Sequence, residues 1–347
     1  MIMYIKPMVI AAIITLSAIY FLRPFAVNFK LLDLPNERKK HEGSIPLIGG
    51  IAMFLGVIVS IFLSPIDLNN FNYFLTAALI VVLIGVFDDH SSLPVSYRLL
   101  FQIIAALILV TVGEEGISSL GNLLGYGEIT LNEWSMLLSV FAIIAGINAV
   151  NMADGLHGLA GGNSLISFIA ISILSIKSPS QDSILIALVF CSVLPIFLIH
   201  NLCLGISATK RIFMGDAGSM FIGLAIVWVL FDFSQGEEKS FAPVIALWLF
   251  APPLMEIAST VLRRLMSGAS PFKPDTFHFH HLLQKLGYSK RKTLTIILLF
   301  SALMALIGIL GEIFNIAENL MFFGFLLVFL IYFYLGELAY KKVLKLN

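Results

Sequence analysis

The chain has 347 residues, of which 59% are hydrophobic and only 12% charged, and its 21 basic and 21 acidic residues cancel. This composition excludes an ordinary soluble domain, and the balanced charge gives no reason to expect a nucleic-acid partner. Because about 20 apolar residues in a helix cross a hydrocarbon core of roughly 30 Å, the sequence predicts a polytopic membrane protein.

Eleven apolar runs follow one another along the chain. They cover residues 7–25, 48–63, 71–87, 99–112, 136–150, 165–176, 184–202, 220–233, 241–262, 294–314 and 320–338. We therefore predict an all-α fold with about eleven transmembrane helices, forming a single domain over residues 1–347. Within it, residues 263–292 are expected to form a long cytoplasmic loop, because Pro271 and Pro274 block a continuous helix.

The basic residues predict an orientation. Of the 21 Lys and Arg residues, 18 lie in the C-terminal tail or in connections that follow odd-numbered runs. Lys6, Lys177 and Lys239 lie on the other side. Because Lys and Arg accumulate on the cytoplasmic side of membrane proteins, we expect the N-terminus outside and the C-terminus in the cytoplasm.

Five polar clusters also follow odd-numbered runs. They lie at residues 33–41, 88–90, 148–162, 215–219 and 275–281. If the chain alternates sides at every run, all five clusters lie at the cytoplasmic face, where they can build one site. This arrangement favours an enzyme that acts at the surface of a bilayer.

The first acidic pair, Asp88 and Asp89, closes the third run. The C-terminus of a helix disfavours a negative charge by about 0.3–1 kcal/mol. The pair therefore needs a metal ion or a basic neighbour such as Arg98, unless both acids are simply solvated.

Asn148, Asn151 and Asp154 follow the fifth run at intervals of three residues. If the helix continues, this spacing places all three on one face. Amide and carboxylate oxygens are ligands that Mg²⁺ accepts. Close helix packing explains the glycines that follow, but it does not explain two Asn and an Asp near a membrane face.

Asp216 precedes the eighth run and has two interpretations. It can cap the N-terminus of the helix. It can also bind a metal ion while the free N–H groups of the helix meet a phosphate.

The remaining clusters are basic. The spacing of the histidines in the long loop is poor for zinc and suits an anionic phosphate beside Arg263 and Arg264, although solvated histidines remain the alternative. The cluster near residue 38 fits the positive-inside rule, and it also attracts lipid phosphate by about 1 kcal/mol per residue.

Taken in order, these motifs closely resemble the polyprenyl-phosphate N-acetylhexosamine-1-phosphate transferases. The matching motifs are Asp33-x-Pro35-x-x-Arg38-Lys39-x-His41, Asp88-Asp89, Asn148-x-x-Asn151-x-x-Asp154-Gly155, Gly215-Asp216-x-Gly218-Ser219, and Ser270-Pro271-Phe272 before His278-x-His280-His281. The form of the histidine motif is similar to that of the WecA/TagO branch.

The resemblance implies that the phosphate of a membrane polyprenol, undecaprenyl phosphate in bacteria, attacks a UDP-N-acetylhexosamine and releases UMP. GlcNAc is the expected sugar, and the reaction is the first membrane step of cell-envelope glycan synthesis. It would occur at the cytoplasmic face of the bacterial inner membrane. The expected partners are the two substrates and membrane lipids, without nucleic acid, and a homodimer is left open. The alternative is a transporter of an anionic substrate, which should show inverted repeats and polar residues near mid-membrane.

The resemblance also implies roles for individual residues. Asn151 and Asp216 are expected to hold Mg²⁺, with Mn²⁺ as the alternative. The candidate catalytic residues are Asp88, Asp89, Asp154 and Asp216. The candidate substrate-binding residues are Arg38, Lys39, His41, Asn148, His157, Arg263, Arg264, His278, His280 and His281.

Three positions depart from the family pattern. His157 stands where a second Asp is common, near the expected nucleobase position. Glu256 replaces an Asp, and Thr276 replaces an Arg before the histidines. The last two changes leave open which N-acetylhexosamine is the donor.

Overall fold

The computed structural model describes residues 2–34, 43–64, 71–176, 178, 180–270 and 278–346. Most of these residues are helical. The helices are α1 (Ile2–Asn28), α2 (Gly49–Phe62), α3 (Phe71–Ser91), α4 (Val95–Leu107), α5 (Ser135–Ala153), α6 (Leu159–Ser175), α7 (Gln181–Leu202), α8 (Gly215–Ser234), α9 (Pro243–Leu249), α10 (Ala251–Met266), α11 (Phe279–Lys285), α12 (Lys290–Ile313) and α13 (Glu318–Leu346). The exception to the all-α prediction is a short antiparallel pair, β1 (Leu32–Asp33) and β2 (Ile45–Pro46).

By length and composition, fewer helices qualify as membrane spans than the eleven predicted. Over the described residues, eight helices are long and apolar enough to cross a membrane, and α9 with α10 gives a ninth if the bent pair is one span. The runs at 48–63 and 165–176 form α2 and α6, which have only 14 and 17 residues. At 1.5 Å per residue, 14 residues reach about 21 Å, less than a hydrocarbon core. A polytopic helical membrane protein is therefore confirmed, with eight to nine candidate spans by length and composition.

The run at 241–262 is not one straight helix, contrary to expectation. It divides into α9 and α10, which meet at an angle of 86°. Pro252 and Pro253 open α10 and lack the N–H groups that would bond back into α9. The carbonyl of Leu249 instead accepts a hydrogen bond from the Ser167 hydroxyl of α6, at 2.8 Å, which satisfies a polar group at the break.

Helix α8 lies at the centre of the bundle. All of its residues except Asp216 and Asp232 are buried, and it packs against α2, α3 and α5. Glycines make this approach possible: a Cβ on Gly50 would lie 2.2 Å from the backbone nitrogen of Gly218. Small residues at helix contacts let backbones approach closely in membranes. The N-terminus of α8 is thereby fixed against α2.

Candidate active site

The first turn of α8 is capped by a carboxylate from another helix. Asp89, at the end of α3, accepts hydrogen bonds from the backbone N–H groups of Asp216 (2.9 Å) and Ala217 (3.4 Å). Gly215 has φ of +74°, and a Cβ there would lie 2.4 Å from Asp89 Oδ2. A carboxylate at this position stabilises the positive end of the helix dipole. The capping interpretation of Asp216 was therefore wrong, because Asp89 caps the helix.

The Asp216 side chain is directed to other polar groups. Its Oδ1 accepts a hydrogen bond from Asn151 Nδ2 at 2.7 Å, and the same amide donates to Ser219 Oγ at 3.0 Å. Arg98 Nη1 lies 3.6 Å from Asp216 Oδ2, and 33% of the Asp216 side chain is exposed. The structure thus brings together Asn151 and Asp216, 65 residues apart in sequence.

Asp88 holds Arg98 in place. Asp88 Oδ2 lies 2.8 Å from Arg98 Nη1, and Oδ1 accepts from the backbone N–H of Leu93 at 2.6 Å. The Asp88 side chain is only 4% exposed. The same guanidinium nitrogen of Arg98 therefore contacts the carboxylates of both Asp88 and Asp216. The predicted basic neighbour of the acidic pair is therefore confirmed for Asp88, although Arg98 was not among the candidate catalytic or substrate-binding residues.

The helix that would align Asn148, Asn151 and Asp154 includes only the first two of them. Helix α5 ends at Ala153, and Asp154 is the residue after it, with φ of −77° and ψ of 17°. Asn148 donates to Gln102 Oε1 at 2.8 Å, a contact that links α4 and α5. Of the three side chains, only Asn151 is shown bonded to Asp216.

The described part of the histidine motif, residues 278–281, is called the histidine segment and packs against the turn that follows α5. A Cβ on Gly155 would lie 2.5 Å from His280 Nε2. The rings of His280 and His281 have centroids 4.1 Å apart, and those of His278 and His280 are 5.9 Å apart. The three histidines therefore form one group beside the loop that carries Asp154.

His280 differs from its neighbours because it is buried, with 3% of its surface exposed. Burial lowers the pKa of His280 to about 3, and His281 beside it acts in the same direction. Its Nε2 atom has no hydrogen-bond partner among the described residues. A neutral His280 does not supply the positive charge expected for gripping a phosphate.

Arg263, on the last turn of α10, contacts α13. Arg263 Nε lies 2.8 Å from Glu337 Oε1 of α13, and its guanidinium lies 5.8 Å from the Tyr340 ring centroid. This ion pair ties α10 to α13, so it is a poor fit to the predicted substrate role of Arg263. Arg264, on the last turn of α10, is partly exposed.

The turn after α5 also places His157 near the start of α8. Its ring centroid lies 4.8 Å from that of Phe213, two residues before Gly215. Gly158 donates its backbone N–H to Asn201 Oδ1 at 2.7 Å, which holds the turn against α7. Arg38, Lys39, His41 and Thr276 lie outside the described residues.

The donor set at Asp216 suits one kind of metal site. Within the described ranges, no group of three or more His, Cys, Asp or Glu residues is arranged to hold a metal ion. Asp216 and the Oδ1 of Asn151 offer one carboxylate and one amide oxygen. Mg²⁺ is often bound through one or two carboxylates together with substrate phosphates. These residues therefore fit a metal shared with a diphosphate, and they do not fit an all-protein cage.

The family of the chain follows from comparison with known proteins. The sequence profile of glycosyl transferase family 4 matches residues 71–234, the segment that supplies Asp88, Arg98, Asn151 and Asp216. With similarity to family members over nearly its whole length, the chain belongs to glycosyl transferase family 4.

Its relatives include the undecaprenyl-phosphate alpha-N-acetylglucosaminyl 1-phosphate transferases of three bacteria. The chain is 36% identical to the Yersinia pestis protein over 94% of its own length and 90% of the relative's. It is 37% identical to the Escherichia coli K12 protein over 93% and 88%, and 38% identical to the Haemophilus influenzae protein over 90% and 88%. The family resemblance inferred from the motifs is confirmed, and no transporter stands among these relatives.

Proposed function

We propose that the protein transfers GlcNAc-1-phosphate from UDP-GlcNAc to undecaprenyl phosphate and releases UMP. The observation that carries this proposal is the cluster of Asp88, Arg98, Asn151 and Asp216 at the start of α8, in a chain similar to such transferases along nearly its whole length. An oxygen of the acceptor phosphate bonds to the β-phosphorus. The bond between the β-phosphorus and the bridging oxygen breaks, and UMP leaves with that oxygen.

This reaction replaces one phosphoanhydride with another, so catalysis rests on positioning and on neutralising charge. Asn151 and Asp216 would hold Mg²⁺, or Mn²⁺ as the alternative, against the donor diphosphate. The metal supplies positive charge where negative charge develops on the phosphate oxygens. Arg98 adds a protein cation next to Asp216, at 3.6 Å.

The two aspartates of α3 have different supporting roles. A phosphate monoester has a second pKa of about 6, so the acceptor is largely ionised near neutral pH without a general base. Asp88, whose two oxygens are bonded to Arg98 and Leu93, orients the Arg98 guanidinium. Asp89 orients Asp216 by capping α8. Asp154, His157 and the histidine segment face the donor.

The direct test is UMP release by the detergent-solubilised protein, incubated with undecaprenyl phosphate, Mg²⁺ and single UDP-sugars. We expect UMP with UDP-GlcNAc and much less with UDP-glucose. UDP-GalNAc tests the open question of the sugar, because Glu256 and Thr276 depart from the family pattern. If none of the UDP-sugars releases UMP when the acceptor is present, the proposed function is wrong.

The proposed topology keeps one domain with eleven crossings, because the alternation of basic residues requires α2, α6 and the α9–α10 pair each to cross once. Helices α2 and α6 are shorter than the other spans, so the bilayer would have to be locally thinner around them. The N-terminus is outside and the site faces the cytoplasm at the bacterial inner membrane, as supported by the 18 basic residues on one side. The test places a cysteine at Ser270 or Ser118 after Cys191 and Cys203 are replaced. A membrane-impermeant thiol reagent should label position 270 only from the cytoplasm and position 118 only from outside. Labelling of both from one side would overturn this topology.

A further inference from the structure

Glu256, on the second turn of α10, joins three helices through its carboxylate. Its Oε1 atom lies 3.1 Å from His278 Nδ1 and accepts from the backbone N–H of Phe279 at 3.2 Å. Its Oε2 atom accepts from the Tyr332 hydroxyl of α13 at 2.5 Å. Thr260 adds a weaker contact to Oε1 at 3.4 Å. Glu256 is buried, so these protein groups replace the water that a carboxylate otherwise binds.

The Glu256 carboxylate accepts a hydrogen bond from the first backbone N–H group of the short helix α11. Helix α11 has only seven residues, and His278 at its N-cap position makes no side-chain cap hydrogen bond. Helices this short are not stable alone, and their first N–H groups need outside acceptors. Glu256 accepts from the first of these groups, that of Phe279. The start of α11 is thereby fixed to α10.

The length of the side chain matters for this contact. Removing one methylene group would withdraw the carboxylate by about 1.5 Å. Hydrogen bonds that now measure 3.1–3.3 Å to His278 and Phe279 would then pass beyond the usual limit unless the helices moved. The Glu at this position therefore matches the gap between α10 and α11, and its carboxylate is engaged by the protein.

We propose that Glu256 is a positioning residue of the donor site. It sets the place of His278 and of the first turn of α11, and the Tyr332 bond anchors that arrangement to α13. This inference rests on the proposed function, in which the histidine segment binds the UDP-sugar. Glu256 acts through His278 and does not itself touch the substrate.

A double-mutant cycle tests whether Glu256 acts through His278. Losing a charge-assisted hydrogen bond corresponds to about tenfold or more in binding. We expect Glu256→Ala to raise KM for UDP-GlcNAc by about tenfold, with kcat and KM for undecaprenyl phosphate changed less than about twofold. In a His278→Ala background, Glu256→Ala should raise donor KM by clearly less than it does alone, because only the contact to the Phe279 amide then remains to be lost. Fully additive effects on donor KM would overturn the proposal.

Conservative variants separate positioning from general destabilisation. Glu256→Gln keeps the length and an acceptor oxygen, so it should restore donor KM to within about threefold of the wild type. Ser259→Ala is the matched control, because among the described residues that hydroxyl bonds the backbone carbonyl of Glu256, at 3.0 Å, and not its carboxylate. It should leave donor KM unchanged. If Glu256→Ala does not fold, Glu256→Asp replaces it in the cycle, because the shorter side chain withdraws the carboxylate from His278 and Phe279.

Hydrogen exchange gives a readout that needs no activity. The Phe279 amide should exchange faster in Glu256→Ala and remain protected in Glu256→Gln and Ser259→Ala. Equal protection in Glu256→Ala and the wild type would overturn the inference while leaving the proposed function intact. The opposite outcome is also possible: the wild type releases no UMP, while the Phe279 amide exchanges faster in Glu256→Ala. That result would reject the proposed function and leave the positioning role of Glu256 intact.

Discussion

Helices α8 and α13 lie at opposite extremes of burial, with 94% of the apolar stretch of α8 buried and 11% of that of α13. Each helix supports one end of the candidate site: α8 carries Asp216 at the buried end, and α13 supports His278 and α11 at the peripheral end. Asp216 is placed by backbone packing around α8, where glycines let helices touch. The histidine segment is placed by side-chain hydrogen bonds that reach from α10 to α13. Close packing tolerates little change in volume, whereas a polar link between peripheral helices depends on a few specific atoms.

The largest expected effect is at the buried end. Asp216→Ala and Asn151→Ala should each lower UMP release by about a thousandfold or more, because a metal on a diphosphate supplies several kcal/mol. The measurement is the initial rate across a Mg²⁺ titration, with Mn²⁺ binding followed by spin resonance. Asn148→Ala is the control, since that amide bonds Gln102, and it should keep most activity. Full turnover by either variant at ordinary Mg²⁺ would refute the metal assignment.

Alanine substitutions at two glycines allow the packing around α8 and around α13 to be compared directly. A Cβ on Gly50 would lie 2.2 Å from Gly218, whereas a Cβ on Gly324 of α13 would meet Trp248 only at 3.6 Å. We expect Gly50→Ala to destabilise the protein by about 1–3 kcal/mol through overpacking and to impair activity. Gly324→Ala should be tolerated. Thermal unfolding in detergent measures both, and equal melting temperatures would show that α8 is not the tighter end.

Asp89 offers a smaller effect that separates capping from chemistry. Asn caps helices about as well as Asp, so Asp89→Asn should retain much of the activity. Asp89→Ala should lose about 0.5–2 kcal/mol of stability and a larger share of the rate. Unfolding curves and initial rates for both variants decide the matter. An Asp89→Asn enzyme as inactive as Asp216→Ala would mean that Asp89 is not mainly a cap.

The smallest effect concerns pH and the peripheral end. The folded pKa of His280 is about 3, below the ordinary value of about 6.5. The unfolded state therefore binds more protons between these values, and stability falls as pH drops below about 6.5, by at most about 1.4 kcal/mol per pH unit. His280→Phe should flatten this acid limb of the melting temperature, while His90→Phe, at an exposed histidine, should not. Identical acid limbs for His280→Phe and the wild type would contradict the burial argument.

The apolar runs predicted most helices because hydropathy reports which residues avoid water. Apolar runs do not indicate where a helix changes direction, so the sequence analysis missed the bend between α9 and α10. Pro252 and Pro253 could have predicted this bend, because proline interrupts helical hydrogen bonding. Motif order correctly brought Asn151 and Asp216 to one set of candidates. The capping role of Asp89 could not be predicted, since it depends on how α3 lies against α8.

Two further contacts left signals in the sequence that were not used. Gln102 lies inside the apolar run at 99–112, and Glu337 lies inside the run at 320–338. A polar group within an apolar span usually has a partner, and here the partners are Asn148 and Arg263. These two polar residues inside apolar runs therefore predicted helix contacts for Asn148 and Arg263.

The carboxylate of Asp89 at the start of α8 also has an electrostatic consequence. A helix N-terminus normally attracts phosphate through its free N–H groups, and one interpretation of the sequence expected this here. In this protein an internal anion already occupies that positive pole. The attraction for a nucleotide diphosphate must then come from a bound metal ion and from basic side chains. Unlike a helix terminus, these groups can move, so they can release UMP after the reaction.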